Sequence, residues 1–150
     1  MEISLRVNGE AVAASVEPQE LLLDLLRDRL GLTGAKRSCD VQVCGACTVH
    51  LDGEPVSACC TLAWEARGRD LLTIEGLAGL PEFVVLEDAF TRHAALQCGF
   101  CTPGLVLTVK ALLDEGVLPA DDAGIKRELA GNLCRCTGYK GILEAVRELA

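Results

Sequence analysis

Nine cysteines in a chain of 150 residues are the side chains of this sequence that are best suited to chemistry. They form two separate groups, each large enough for one complete metal site: Cys39, Cys44, Cys47, Cys59 and Cys60, and then Cys98, Cys101, Cys134 and Cys136. The cysteine count is odd, and the N-terminal segment lacks the basic flank and the long apolar block of a secretory signal. These features disfavour a disulfide scaffold. In a reducing compartment, clustered cysteines more often bind metal.

The first group has the spacing of a plant-type 2Fe–2S ferredoxin. Four residues separate Cys39 from Cys44, two separate Cys44 from Cys47, and eleven separate Cys47 from Cys59. Three thiolates would come from one loop and the fourth from a neighbouring strand, and Gly45 would let the backbone approach the metal group closely. A structural zinc site is the alternative, but zinc usually takes two separated pairs of ligands.

Cys60 is the fifth thiol of the first group. The segment from Pro55 to Cys59 is predicted to be a short strand, along which successive side chains point to opposite faces. We therefore expect that only one of Cys59 and Cys60 faces the metal site. The other is expected to be an inert buried thiol.

The second group is a pair of pairs. Cys98 and Cys101 have two residues between them, and Cys134 and Cys136 have one. Each pair stands shortly before a predicted helix, so two positive helix ends would converge on one cluster of thiolates. Taken alone, this group is also compatible with a tetrahedral zinc site, and the spacing leaves the metal open.

The elements that must position these thiols fall into two halves. The first half predicts strands at 3–7, 11–16, 48–51, 55–59 and 71–74 around one amphipathic helix at 22–30, which is an α+β domain over residues 1–77. The second half predicts four short helices, which would form a small bundle over residues 78–150.

Charge and hydropathy narrow the class of protein further. The net charge is −8, with 14 basic against 22 acidic residues, which argues against a surface that binds nucleic acid. No apolar run approaches the roughly 20 residues that a membrane helix needs. We expect a soluble cytoplasmic protein with no membrane span.

Four ordered motifs give the sequence a wider resemblance. They are CDVQVCGACTV at 39–49, VSACCTLA at 56–63, QCGFCTPG at 97–104 and GNLCRCTGY at 131–139. Together these motifs resemble the iron–sulfur (small) subunit of the xanthine oxidase family of molybdenum hydroxylases, which includes the small subunits of carbon monoxide dehydrogenase, 4-hydroxybenzoyl-CoA reductase and isoquinoline oxidoreductase. The resemblance extends over essentially the whole chain.

The resemblance implies a β-grasp ferredoxin domain followed by a four-helix bundle, with one 2Fe–2S cluster in each. It implies that the ligands are Cys39, Cys44, Cys47 and Cys59 in the first cluster, and Cys98, Cys101, Cys134 and Cys136 in the second. The V-x-A-C pattern selects Cys59 over Cys60, where the family commonly has a larger apolar residue. Gln97 matches a glutamine of the family that approaches the molybdopterin.

The resemblance also implies partners and a function. A large subunit would bind the molybdopterin cofactor and carry out the chemistry, and a medium subunit would usually bind FAD. This chain would relay electrons from the molybdopterin site through the C-terminal and then the N-terminal cluster to FAD or another acceptor, without acid–base catalysis of its own. Two other functions are considered: a free-standing two-cluster electron carrier and, from a different class, a zinc-stabilised interaction module.

Overall fold

The first half of the chain folds as a five-stranded mixed sheet. The computed structural model describes all residues, 1–150. The strands are β1 (Glu2–Val7), β2 (Glu10–Ser15), β3 (Thr48–Leu51), β4 (Glu54–Ser57) and β5 (Asp70–Leu72). They lie in the order β2-β1-β5-β3-β4, and the only parallel pair is β1 with β5. Joining β1 to β5, the two central neighbours, requires the long connection that carries the first cysteine group.

The first hairpin forms where the alternation of the sequence predicts it. Ile3, Leu5 and Val7 are buried on one face of β1, and their neighbours are exposed. The turn residues Asn8 and Gly9 both have positive φ angles, 53° and 86°, as a tight two-residue hairpin turn requires. The predicted strand and turn are therefore confirmed.

One helical segment packs on the sheet, and its winding differs from a regular α-helix. α1 (Leu22–Asp24) continues directly into a π-helical turn (Leu25–Arg29), in which the Leu30 N–H donates to the Leu25 carbonyl five residues earlier. The wider turn lets adjacent leucines as well as those at helical spacing face the core, and the fully buried ones are Leu22, Leu23, Leu25 and Leu26. A helix was predicted here, but its π winding was not.

The second half is helical. Its helices are α2 (Ile74–Ala78), α3 (Phe83–Arg92), α4 (Thr102–Asp114), α5 (Asp122–Glu128) and α6 (Lys140–Leu149). The four longer helices enclose a core that contains Phe90, Leu105 and Ile142. The predicted fold class, an α+β domain followed by a small helical bundle, is confirmed. None of the helices combines the length and the apolar character that spanning a lipid bilayer requires.

Each half has its own hydrophobic core. The first core is built from residues between Ile3 and Leu71, and the second from residues between Leu77 and Val146. Leu77 was predicted to lie at the end of the first domain, but it is part of α2 and packs in the second core. The boundary between residues 77 and 78 stays a prediction.

A buried histidine joins the two halves. His50 on β3 is 2% exposed, and its Nε2 lies 2.7 Å from the carbonyl oxygen of Leu107 in α4. Burial lowers the pKa of His50, and Lys110 acts in the same direction, whereas the Leu107 carbonyl and the carboxylates of Asp114 and Glu54 oppose the shift. The imidazole is therefore held neutral where sheet and bundle meet.

Candidate metal centres

The loop of the first cysteine group is wound around its own thiols. Asp40, Gln42 and Gly45 all have positive φ angles, 54°, 57° and 69°. Asp40 and Gln42 are left-handed at alternate positions, and such a pattern turns successive N–H groups toward one side of the chain, which forms a concave, anion-binding nest. The backbone N–H groups of this loop are therefore oriented to bind a negatively charged group.

The thiol of Cys39 receives these backbone donors. The N–H groups of Val43 and Cys44 each lie 3.4 Å from its Sγ atom. Hydrogen bonds from the backbone of Val41, Val43 and Cys44 lower the pKa of Cys39 to about 6, so that its thiolate is favoured near neutral pH. A thiolate is the form that binds metal.

The thiols of the first group are close enough to affect one another. Cys44 is among the groups that affect the pKa of Cys39, and Cys59 and Cys44 are among those that affect the pKa of Cys47. Cys47 and Cys59 are only 2% and 4% exposed. Burial raises the pKa of Cys47 to about 12. The Cys47 side of the site is therefore shielded from water, whereas the Cys39 side is partly exposed to solvent.

Two parts of the expectation for Cys60 are wrong, its burial and its alternation with Cys59 along a strand. The choice of Cys59 as the ligand stays a prediction. β4 ends at Ser57, and Cys59 and Cys60 lie in the turn that follows, where side chains do not alternate as in a strand. Their Sγ atoms are 3.7 Å apart, on the same side of the chain. Cys60 is also exposed rather than buried. All five thiols of the first group are therefore in one region.

The thiols of the second group are also close together. The Sγ atoms of Cys98 and Cys136 are 3.5 Å apart, and Cys101 has a side-chain interaction with Cys134. The inner pair is less exposed than the outer pair, and burial raises the pKa of Cys101 to about 12. The four thiols line a cavity of about 610 Å³, together with Ser38, Cys44, Ala46, Phe100, Leu133, Arg135 and Tyr139.

The segment that carries Cys134 is held by two hydroxyl groups. The Tyr139 hydroxyl accepts a hydrogen bond from the Cys134 N–H (2.8 Å) and donates one to the Asn132 carbonyl (2.9 Å). The Thr137 hydroxyl lies 3.1 Å from the Cys134 Sγ atom. Burial acts to raise the pKa of Cys134, but hydrogen bonds from the Thr137 hydroxyl and nearby N–H groups outweigh it, so the pKa is lowered.

Sequence analysis did not identify this role of Tyr139. The signal that was available is its place within the GNLCRCTGY motif, one residue after Gly138. The tyrosine itself has a φ angle of 67° at the start of α6, and its hydroxyl reaches the backbone of Asn132 and Cys134. A left-handed tyrosine is not a conformation that residue type predicts.

Helix ends contribute unequally to the second site. α4 begins at Thr102, directly after Cys101, as predicted. α6 begins only at Lys140, because a turn through Thr137 and Gly138 separates it from Cys136. The hydroxyl of Thr102 is buried without a hydrogen-bond partner among the protein atoms.

The pairing of the thiols fits a 2Fe–2S cluster. Such a cluster takes four cysteines across two irons, and in the second group one pair of thiols lies 3.5 Å apart. Both cysteine groups therefore fit a cluster.

The two sites touch through their ligand segments. The Leu133 N–H donates to the Cys44 carbonyl over 2.8 Å. A Cβ atom added at Gly45 would lie 2.4 Å from the Gly131 carbonyl oxygen, and one added at Gly104 would lie 2.1 Å from the Gly45 carbonyl oxygen. Such close backbone approaches are open only to glycine.

Gln97 lies on the surface directly before Cys98, and the structure gives it no hydrogen-bond partner in this chain. Large apolar side chains around the second site are also exposed. Phe100 is 44% exposed, Leu133 is 50% exposed and Leu96 is 41% exposed. An apolar rim around a polar amide is the composition of a contact surface.

Two family models match the chain in succession. Residues 5–73 match a 2Fe-2S iron-sulfur cluster binding domain, and residues 73–147 match a [2Fe-2S] binding domain. Each match contains one of the two cysteine groups. Both sites are therefore 2Fe–2S domains, and the ambiguity that the spacing left at the second group is resolved.

Proteins of known function are similar over nearly the whole chain. The nicotinate dehydrogenase small FeS subunit of Eubacterium barkeri is 48% identical over 97% of this chain and 92% of its own length. The caffeine dehydrogenase subunit gamma of Pseudomonas sp. strain CBB1 is 45% identical, over 99% and 90%. Among solved structures, quinoline 2-oxidoreductase from Pseudomonas putida 86 contains a chain that is 44% identical, with a TM-score of 0.92 over 99% of this chain and 91% of that one.

Proposed function

The chain belongs to the iron–sulfur subunits of the xanthine oxidase family of molybdenum hydroxylases, and from this we infer that its eight paired cysteines hold two 2Fe–2S clusters for electron transfer. It is one subunit of a multi-subunit oxidoreductase, and substrate chemistry takes place elsewhere in the complex. We assign Cys39, Cys44, Cys47 and Cys59 to the first cluster, and Cys98, Cys101, Cys134 and Cys136 to the second.

The pairing of the thiols is the observation that supports this assignment. In each half, one pair is more buried and the other pair is nearer the solvent. When bound, a 2Fe–2S cluster supplies reversible one-electron transfer. The residues of this chain hold it, donate N–H and hydroxyl groups to its anionic ligands, and keep water from its inner side.

The surface around Gln97 is the proposed contact with the subunit that binds molybdopterin. It combines an amide without a partner in this chain with exposed apolar side chains beside Cys98. An FAD-binding subunit is a further proposed partner. We also propose a cytoplasmic location, because free thiols remain available for iron in a reducing compartment.

Metal analysis of the anaerobically purified chain tests the assignment. We expect about four irons and about four sulfides per chain, which corresponds to two clusters, and two distinguishable signals in the electron paramagnetic resonance (EPR) spectrum of the reduced protein. Cys44→Ser should remove the first signal and Cys136→Ser the second. Zinc in place of iron, or only one signal in protein that retains its fold, would refute the proposal.

Co-purification tests the partners separately. A tagged chain expressed with its neighbouring genes should elute with a larger subunit that contains molybdopterin. Gln97→Ala should weaken that association while both cluster signals remain. A tagged chain that carries two clusters and elutes alone would instead support a free-standing electron carrier.

A further inference from the structure

We propose that Cys60 is a second thiol for the coordination position of Cys59, so that either of these neighbouring cysteines can serve as the fourth ligand of the first cluster. The inference rests on the proposed ligand set of that cluster. It concerns a feature of this chain that the other site lacks, since the second group contains only four cysteines.

The turn after β4 gives Cys60 access to the site. The Cys60 N–H donates to the Ser57 carbonyl over 2.9 Å, which closes the turn and brings the side chains of Cys59 and Cys60 to the same side. Their Sγ atoms are 3.7 Å apart. A strand would have separated them to opposite faces.

Cys60 also approaches the loop on the other side of the site. Its Sγ atom lies 3.9 Å from the carbonyl oxygen of Asp40, the residue after Cys39. Cys60 is therefore placed between the Cys59 turn and the Cys39 loop, at the edge of the site that faces solvent. The region contains five thiols and a 2Fe–2S cluster takes four, so one thiol is not needed as a ligand at any one time.

Burial decides which thiol binds in the resting protein. Cys59 is 4% exposed and Cys60 is exposed, so binding through Cys59 keeps the site closed to water. With the cluster bound, an exchange would replace the iron–sulfur bond to Cys59 by one to Cys60, and the Cys60 proton would pass to the released Cys59 thiolate. No electron is gained or lost, and no additional reactant is needed.

Four variants of the full chain, purified anaerobically under conditions that load both clusters into the wild type, test this exchange. Cys59→Ser should keep its full iron and sulfide content, with a shifted EPR signal for the first cluster. The double variant Cys59→Ser/Cys60→Ser should lose that cluster, and Cys60→Ser alone should keep the wild-type signal. Cys47→Ser is the matched control, because no spare thiol lies beside Cys47, and it should lose the first cluster.

Alkylation identifies the thiol that is bound. In the loaded wild-type chain, iodoacetamide should label Cys60, which is exposed and free. In Cys59→Ser it should leave Cys60 unlabelled, because that thiol now binds iron. Continued labelling of Cys60 in a Cys59→Ser chain that retains its cluster would overturn the proposal, because the serine oxygen would then be the ligand.

A kinetic measurement keeps the test valid if Cys59→Ser does not fold. An iron chelator should remove the first cluster several-fold faster from Cys60→Ser than from the wild type, because the variant cannot recapture iron when Cys59 dissociates. Equal rates, or equal cluster loss in Cys59→Ser and the double variant, would overturn the role of Cys60. An unshifted EPR signal of the first cluster in Cys47→Ser would instead refute the ligand set.

Discussion

The substitution Gly104→Ala should have two opposite effects on the stability of the fold, a favourable one from helix preference and an unfavourable one from steric overlap. Gly104 lies in the first turn of α4, where alanine is intrinsically more favourable than glycine by about 1 kcal/mol. The new Cβ atom, however, would lie 2.1 Å from the carbonyl oxygen of Gly45, below the 3.0 Å that real Cβ contacts respect. One of the two backbones must therefore move by about 1 Å in a packed interface.

The steric effect should prevail. Overpacking typically costs about 1–3 kcal/mol, and neither the helix nor the metal loop can rotate a side chain away. Because both clashing partners are backbone, the upper part of that range, about 2–3 kcal/mol, applies; after subtraction of the helix preference of about 1 kcal/mol, we expect the variant to be less stable by about 1–2 kcal/mol. For a chain of this size, that corresponds to a melting temperature lower by about 2–8 °C.

Thermal unfolding of the cluster-loaded chain is the assay, and Gly131→Ala is the control. A Cβ atom at Gly131 meets nothing within 4 Å, so that variant should match the wild type or gain about 0.4–1 kcal/mol from the restricted unfolded chain. A Gly104→Ala chain that is as stable as the wild type, or more so, would refute the close approach of α4 to the first metal loop.

Two further predictions concern single side chains. Tyr139→Phe leaves the Cys134 N–H without its partner, so we expect the free energy of unfolding to fall by about 1–3 kcal/mol. A chelator should also remove the second cluster faster, while the first cluster is unaffected. Equal release rates in the variant and the wild type would argue against this role of the Tyr139 hydroxyl. His50 has a lowered pKa in the folded chain and binds protons near pH 6.5 when unfolded, so stability should fall as the pH drops below about 6.5. The difference between the urea midpoints at pH 7.5 and pH 5.5 should be smaller in His50→Gln, and an unchanged difference would contradict this assignment.

Local sequence signals predicted the parts of the fold that depend on local physics. The alternation in β1, the Asn8-Gly9 turn and the start of α4 after Cys101 all follow from neighbouring residues. The cysteine spacing likewise indicated two metal sites. It identified the metal only at the first of them, because two pairs of thiols can satisfy either zinc or iron.

The errors arose where one residue changes the end of an element. β4 stops at Ser57, two residues before the predicted end, and this moves Cys60 from an opposite face to the side of Cys59. Gly45 was expected to make room for the metal group, but its missing side chain also admits the Gly131 carbonyl from the other half of the chain. Contacts between residues so far apart leave no trace in the local pattern.

The hydrogen bond from the Leu133 N–H to the Cys44 carbonyl has a consequence for how this protein tolerates recombination. It joins residues beside or within both ligand segments, so an insertion or deletion in either loop shifts the donor or the acceptor out of register. A chimera that takes its first half from another ferredoxin would fit only if its loop placed the corresponding carbonyl opposite the Leu133 N–H and had a glycine at the position of Gly45. The two halves should therefore exchange between homologues only as a pair.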